Sequence, residues 1–302
     1  MTAETAALTL TDGGIETVLL FHDGFELPCF AAFPLLEDPA GRAAIRRYFD
    51  GFLDTAEELG IPFVLDTPTW RANPDWGARL GYDRDALAAA NMEAVAFARE
   101  LACDRPAVSI NGTLGPRGDG YVVGERMTAD EAAAYHAWQI GVFADTGTDR
   151  VTALTLSYPD EAVGVVRAAA DVGMPVVASF TVETDGRLPD GTPVAEAIER
   201  VDDETDGAAA FFGINCAHPT HIATGLDGAR ALDRVGALRV NASALSHAEL
   251  DAAEDLDEGV PAELALANSA LRDLLPGVRQ LGGCCGTDLR HVSAMAVAWA
   301  TD

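Results

Sequence analysis

Short apolar runs alternate with alanine-rich helical stretches along the 302-residue chain, and this alternation constrains the fold more than any other feature. Eight runs have the length and composition of strands, at residues 8–11, 63–66, 107–111, 151–156, 175–180, 211–215, 237–240 and 278–281. Helical patterns separate most of them, at residues 42–59, 84–102, 129–145, 161–172, 194–201, 261–275 and 289–300. Apolar strands that alternate with helices predict a parallel sheet covered by helices.

Two parallel architectures compete for this pattern. Eight strand–helix units in a chain of this length fit a (β/α)8 TIM barrel. A doubly wound open sheet would place a phosphate-binding turn of the form GxGxxG after its first strand. The sequence there is DGGIET, at residues 12–17, and it lacks that spacing. We therefore predict an α/β fold of the (β/α)8 type, as one domain over residues 1–302.

Three of the five cysteines follow predicted strands. Cys216 comes after the sixth strand, and Cys284 and Cys285 come after the eighth. The residues that follow barrel strands meet at one face, where active sites lie. Adjacent residues of a regular strand point to opposite faces, so Cys284 and Cys285 can face one ion only if the chain turns there. The flanking glycines permit such a turn.

Three converging thiolates are a ligand set that suits zinc, and three protein ligands leave a fourth position open, as in catalytic sites. His218 follows Cys216 closely, but two further cysteines make it the weaker ligand candidate. We interpret four further histidines as structural or surface residues, namely His22, His136, His247 and His291. Cys29 and Cys103 lie away from the strand ends, and we interpret them as buried, unreactive thiols.

The charge of the chain excludes several classes of partner. It has 20 arginines, no lysine and 48 acidic residues, and its net charge is −28. Nucleic acids and anionic membranes require basic patches, so we expect neither as a partner. Two explanations of the composition stay open. Adaptation to a salty cytosol would account for the acidic excess, whereas GC-rich codon bias would account only for the missing lysine.

The N-terminal residues also bear on location. Residues 1–14 have neither the basic region nor the apolar region of a signal peptide, and no apolar run approaches the roughly 20 residues of a membrane span. An odd number of cysteines in a long chain is not typical of a disulfide framework. These features predict a cytoplasmic protein whose partners are small molecules.

Several motifs resemble those of the homocysteine S-methyltransferase family, which includes enzymes that use S-methylmethionine or betaine. The resemblance covers nearly the whole chain and is carried by DGGIET at 12–17, NGTLGP at 111–116, PVVASFT at 175–181, DGRL at 185–188, GINC at 213–216 and GGCCGT at 282–287. The paired cysteines in a glycine-rich frame, with a distant Asn-Cys, are the most specific of these.

The resemblance implies a zinc-dependent enzyme that moves a methyl group from a sulfonium or betaine-type donor to a thiol, either homocysteine or a related thiol. It implies that Cys216, Cys284 and Cys285 bind zinc and that the substrate thiol takes the open position. A free thiol has a pKa of roughly 8.5, so it is mostly protonated at neutral pH. Coordination to zinc would remove that proton and give the thiolate that attacks the methyl group.

Further residues at the strand ends are candidates for binding the substrates. They are Asp12, Gly13, Glu16, Thr17, Thr67, Trp70, Asn111 and Asn215. Asp12 and Glu16 could hold a substrate ammonium group or act as turn and helix-start residues. Trp70 could contact a cationic methyl donor or serve only in packing.

The sequence departs from the family pattern at two places. The fourth strand of the family usually ends in Glu-Thr, with the Glu binding the ammonium group of the amino acid, and Leu154 stands there instead. Pro68 and Trp70 stand where the family more often has Asn and Tyr or Phe. Two alternatives therefore stay open: a zinc-binding relative that acts on another thiol or on none, and a zinc hydrolase or lyase. Thiolate ligands disfavour the hydrolase or lyase because they donate charge to the metal.

If the acidic composition is an adaptation to salt, the melting temperature of the protein should rise between low and molar sodium chloride. The Debye length falls to roughly 3 Å at 1 M, which screens the repulsion between surface carboxylates. Calorimetry over a sodium chloride series measures the effect. A melting temperature that does not rise would contradict the salt explanation.

Overall fold

A computed structural model of the chain describes residues 8–226 and 231–301, and its eight parallel strands close into one barrel in chain order. The strands are β1 Thr9–Leu10, β2 Phe63–Asp66, β3 Val108–Leu114, β4 Arg150–Leu156, β5 Val176–Phe180, β6 Phe211–Asn215, β7 Val235–Val240 and β8 Gln280–Gly283. β1 pairs with both β2 and β8, which closes the ring. This confirms the predicted (β/α)8 barrel. Residues 1–7, which are part of the segment considered for an export signal, lie outside the described residues.

The described α-helices surround the barrel. They are α1 Ile15–Thr17, α2 Pro39–Leu59, α3 Pro74–Arg79, α4 Arg84–Ala102, α5 Ala129–Thr146, α6 Pro159–Asp171, α7 Val194–Thr205, α8 Pro219–Gly225, α9 His247–Asp251, α10 Pro261–Ser269 and α11 Leu289–Thr301. Among the described residues, no helix combines the length and apolarity that a bilayer crossing requires.

The seven predicted helices are present, but four short ones were missed. Helices α1, α3, α8 and α9 have three to seven residues, which is too short for a helical repeat of apolar residues to show in the sequence. The predicted helix at 261–275 was too long, because α10 ends at Ser269. Leu271 and Leu275 continue the apolar pattern and are buried, yet the chain there forms turns.

Helix α2 shows how local signals set the frame of the barrel. Asp38 caps its start by accepting a hydrogen bond from the Gly41 amide at 2.8 Å. Gly60 ends it in the left-handed region at φ 66°, which glycine adopts without a steric penalty. Between these ends, Ile45 and Phe49 are buried against the barrel. The long connection from β1 to α2 also contains a π-helical turn and two 3-10 turns.

A buried ion-pair network joins three strands inside the barrel. The guanidinium of Arg239, on β7, donates to Asp12 Oδ1 at 2.6 Å and to Asp66, the last residue of β2. Tyr48 donates to Asp12 Oδ2 at 3.0 Å, and Asn111 donates to Asp66 Oδ1 at 2.7 Å. Burial alone would lower the pKa of Arg239, but Asp12 and Asp66 outweigh burial and raise it. Arg239 is therefore held as a cation between the two acids.

Replacing Arg239 should destabilise the barrel strongly. Arg239→Met leaves two carboxylates buried without their cation, so we expect the free energy of unfolding to fall by about 3–5 kcal/mol. Arg167→Met is the control, because Arg167 pairs with exposed Asp130 and should cost at most about 1 kcal/mol. Urea titrations of both variants measure the difference. Equal losses would show that the buried pairs contribute nothing special.

Candidate active site

Three cysteine sulfurs converge at the mouth of the barrel. The Sγ atoms of Cys216, Cys284 and Cys285 all lie within 4.8 Å of one another, and those of Cys216 and Cys285 are 3.5 Å apart. Sulfur ligands at about 2.3 Å from a tetrahedral ion would be separated by about 3.8 Å. The residues present therefore fit a thiolate-bound metal ion. Among the described His, Cys, Asp and Glu residues, neither His218 nor any other joins this group of ligand atoms.

The backbone departs from strand geometry at the ends of β6 and β8, where these cysteines lie. Cys216 directly follows β6 with φ 57°, in the left-handed region, and its amide donates to the Arg239 carbonyl at 2.9 Å. Strand β8 ends at Gly283, so Cys284 and Cys285 belong to a turn, as the glycine-rich sequence indicated. Thr287 closes that turn by donating its amide to the Cys284 carbonyl at 3.0 Å. Adjacent cysteines can therefore face one point.

The glycines after β1 make room for the cysteine turn. A Cβ atom on Gly14 would lie 2.4 Å from the Cys284 carbonyl oxygen, and one on Gly13 would lie 2.8 Å from the Thr287 carbonyl oxygen. The Gly14 amide also donates to that Thr287 oxygen at 2.9 Å. The motifs DGGIET and GGCCGT are thus one packing unit, although more than 260 residues separate them in sequence.

The protonation of the three thiols shows what such a cluster requires. Hydrogen bonds from Cys284 and Cys285 lower the pKa of Cys216. The same contacts with Cys216 raise the pKa of Cys285 well above its usual range. One sulfur therefore ionises at the expense of the others. Three thiolates at this spacing need a positive charge among them.

A cavity of about 60 Å³ lies beside the cysteines, and most of the residues predicted to bind substrate line it. Six of the eight line it, namely Asp12, Gly13, Glu16, Thr17, Thr67 and Trp70. Asn111 and Asn215 lie in the barrel interior instead. Asn111 binds Asp66, and Asn215 Oδ1 accepts from Ser179 Oγ at 2.7 Å and from the Thr155 amide at 2.9 Å. Both asparagines hold the strands in place.

The two acids predicted for an ammonium group differ in their surroundings. Asp12 is already paired with Arg239 and accepts from Tyr48. The side chain of Glu16 forms no ion pair and no hydrogen bond with another described residue. Burial raises the pKa of Glu16 to about 7, and the proximity of Cys284 and Asp12 adds to the effect. A cation in the cavity would stabilise the ionised form of Glu16.

The apolar wall of the cavity includes Leu154 and Trp70. Leu154 supplies no charge at the position where the family pattern has Glu. The guanidinium of Arg71 lies 3.9 Å from the ring centroids of both Trp70 and Trp76, and it donates to the Gly118 carbonyl at 3.1 Å. This stack fixes Trp70 and holds the loop after β3 over the cavity.

Two residues that contact the cysteine cluster were not predicted as site residues. The Tyr121 hydroxyl is 2.9 Å from Cys216 Sγ, and its ring centroid is 4.4 Å from that of His247. His247 Nε2 is 2.6 Å from the Cys216 carbonyl oxygen, and its Nδ1 is 3.0 Å from Glu183. No sequence motif indicated Tyr121, and His247 was predicted to have a structural or surface role. Both follow strands at a distance of several residues, where no spacing rule applies.

A barrel that gathers three thiols at its mouth, beside a cavity with an unpaired acidic side chain, defines a TIM-barrel protein with a cysteine cluster that could hold a metal ion. Residues 9–299 match the sequence profile described as Homocysteine S-methyltransferase. The chain therefore belongs to this family, which confirms the resemblance found in the sequence. As a member of this family, it is an S-methyltransferase, and the family points to thiol methylation.

Solved structures show the same fold. The oxidized form of the homocysteine methyltransferase MmuM from Escherichia coli is 20% identical, with a TM-score of 0.76, and the alignment covers 97% of this chain and 96% of that one. The metallated form is 21% identical over the same shares, with a TM-score of 0.73. A separate comparison with curated proteins gives no match.

Filling the space at Gly14 should disturb the cysteine turn. Gly14→Ala places a methyl group against the Cys284 carbonyl, so we expect a loss of about 1–3 kcal/mol in stability and a lower bound-metal content. Gly124→Ala is the control, because nothing lies within 4 Å of the added methyl group. Urea unfolding and elemental analysis measure the two effects. Unchanged stability and metal content in Gly14→Ala would contradict the packing unit.

Proposed function

We propose that this protein is a zinc-dependent methyltransferase that moves a methyl group from a sulfonium or betaine-type donor to a thiol, either homocysteine or a related thiol. The observation that carries the proposal is the convergence of three cysteine sulfurs within 4.8 Å beside a cavity, in a chain of this family. Cys216, Cys284 and Cys285 would hold the zinc. When bound, zinc supplies the positive charge that stabilises a thiolate at neutral pH.

The reaction itself is a displacement at the methyl carbon. The acceptor sulfur forms a bond to that carbon while the bond from the carbon to the donor sulfur or nitrogen breaks, and its electron pair stays with the donor. The donor leaves as a neutral thioether or as a tertiary amine. No general base of the protein is needed once the acceptor is a thiolate, so the task of the cavity is to orient two substrates and exclude water.

The lining of the cavity suits these substrates. Glu16 would bind the ammonium group of the acceptor, because Asp12 is committed to Arg239. Phe30, Trp70 and Tyr121 supply aromatic walls, which attract the positive methyl group of a sulfonium or ammonium donor. Both partners of the protein would therefore be small molecules.

A second candidate keeps the metal and changes the substrate. Leu154 gives the cavity a neutral, apolar wall where the family has a charge. This wall favours an acceptor thiol other than homocysteine. The extreme form of this candidate is a zinc-binding protein that transfers no methyl group. An assay of thiols with and without an amino group, across sulfonium and betaine donors, separates these candidates.

The cellular setting follows from the thiols. All five cysteines are free, and the proposed chemistry needs three of them reduced. We therefore propose a cytoplasmic location, where thiols are kept reduced, and a single catalytic domain.

Cysteine variants test the proposal directly. Cys216→Ser and Cys285→Ser should lose bound zinc and lower methyl transfer by about 100-fold or more, since changes around metal ligands already cost about 10–100-fold. Cys103→Ser is the control, because Cys103 lies at the end of α4, is exposed rather than buried as predicted, and does not belong to the cluster. Elemental analysis and a methyl-transfer assay measure the two quantities. Full activity in the Cys216 variant would refute the mechanism.

Glu16→Gln tests the ammonium contact. We expect the KM for a thiol that carries an amino group to rise about tenfold, because a hydrogen bond to a charged group is lost. The KM for a thiol without an amino group should stay the same. Glu26→Gln, at an exposed position, controls for the change in net charge. An equal rise for both thiols would remove Glu16 from this role.

A further inference from the structure

A second cavity, called the lower cavity below, lies at the opposite end of the barrel from the cysteines. Its volume is about 390 Å³, several times that of the cavity beside Cys284. The first residues of several strands line it, including Thr9 of β1, Arg150 of β4 and Gln280 of β8. In a parallel barrel these N-terminal ends lie away from the catalytic face. Methyl transfer at the cysteines makes no use of this space.

Two guanidinium groups line the lower cavity without a carboxylate partner. The Cζ atoms of Arg150 and Arg279 lie 5.6 Å and 4.8 Å from the centroid of one ring, that of Phe211. Arg150 donates only to neutral oxygens, Asn111 Oδ1 at 3.2 Å and Gln280 Oε1 at 2.5 Å. Neither arginine forms an ion pair with a carboxylate among the described residues. Although the chain has 48 acidic residues, no described Asp or Glu lines this cavity.

The electrostatics of the lower cavity favour a negative ligand. Burial lowers the pKa of Arg150, and the like charges of Arg239 and Arg279 lower it further, although Asp66 opposes them. An anion between the guanidiniums would offset this repulsion. The hydroxyl groups of Thr9 and Ser109 line the same cavity and form no side-chain hydrogen bond with another described residue. They are available as neutral donors.

We propose that the lower cavity binds a doubly charged tetrahedral oxyanion, of the phosphate or sulfate type, between Arg150 and Arg279. Two guanidinium charges match a dianion, and the planar fork of donors on arginine suits the oxygens of such an ion. The site is separate from the methyl-transfer site, and its ligand has the opposite charge to the methyl-bearing sulfonium or ammonium group of the proposed donors.

Inorganic phosphate is the probe for this site. Calorimetric titration at constant ionic strength, balanced with sodium chloride, should show saturable binding of about one phosphate per chain. Arg279→Gln should weaken binding about tenfold or more, because a charge-assisted hydrogen bond is lost. Arg279 is exposed, so the variant is expected to fold. Arg84→Gln is the matched control, since exposed Arg84 also lies over a ring, that of Trp138, at 5.3 Å from its centroid.

The outcomes distinguish specific binding of phosphate in the lower cavity from non-specific attraction of phosphate to surface arginines. Weakening in Arg279→Gln together with wild-type affinity in Arg84→Gln supports the proposal. No saturable binding by the wild type overturns it. Equal affinities in all three proteins, or equal weakening in both variants, also overturn it, because the affinity would then not depend on the lower cavity.

Discussion

The convergence of three cysteine sulfurs at two strand ends is the constraint on which the site depends. Sulfurs within 4.8 Å repel one another as thiolates, so the backbone must hold them there. Cys216 takes a left-handed conformation, and Cys284 and Cys285 occupy a turn that packs on Gly13 and Gly14. Beneath them, the buried pairs of Arg239 fix β7, which lies between the two strands that deliver the cysteines.

Much of this arrangement could be predicted from the sequence. Repeating strand and helix patterns indicated the barrel, and glycines around the paired cysteines indicated the turn. The partners of Arg239 could not be predicted, because its contact with Asp12 joins residues 227 positions apart. Tyr121 and His247 were missed for a related reason. They reach Cys216 from loops, and the path of a loop depends on contacts such as the Arg71 stack.

The net charge of −28 does not describe the surroundings of the two cavities. Three acidic residues line the cavity beside the cysteines, where Asp12 and Asp66 share Arg239 and the Glu16 side chain has no ion-pair partner among the described residues. Arginines without acidic partners gather at the other end, around Phe211. We propose that the first end binds the cationic group of a substrate and that the second end binds an anion. Both depend on short-range contacts, which survive in salt that screens the surface.

X-ray absorption at the zinc edge tests the central claim most directly. The account predicts zinc with three sulfur neighbours and one lighter neighbour in the protein alone. Addition of an acceptor thiol should replace the lighter neighbour with a fourth sulfur. The absence of zinc from protein purified under reducing conditions, or a coordination shell that added thiol leaves unchanged, would contradict it.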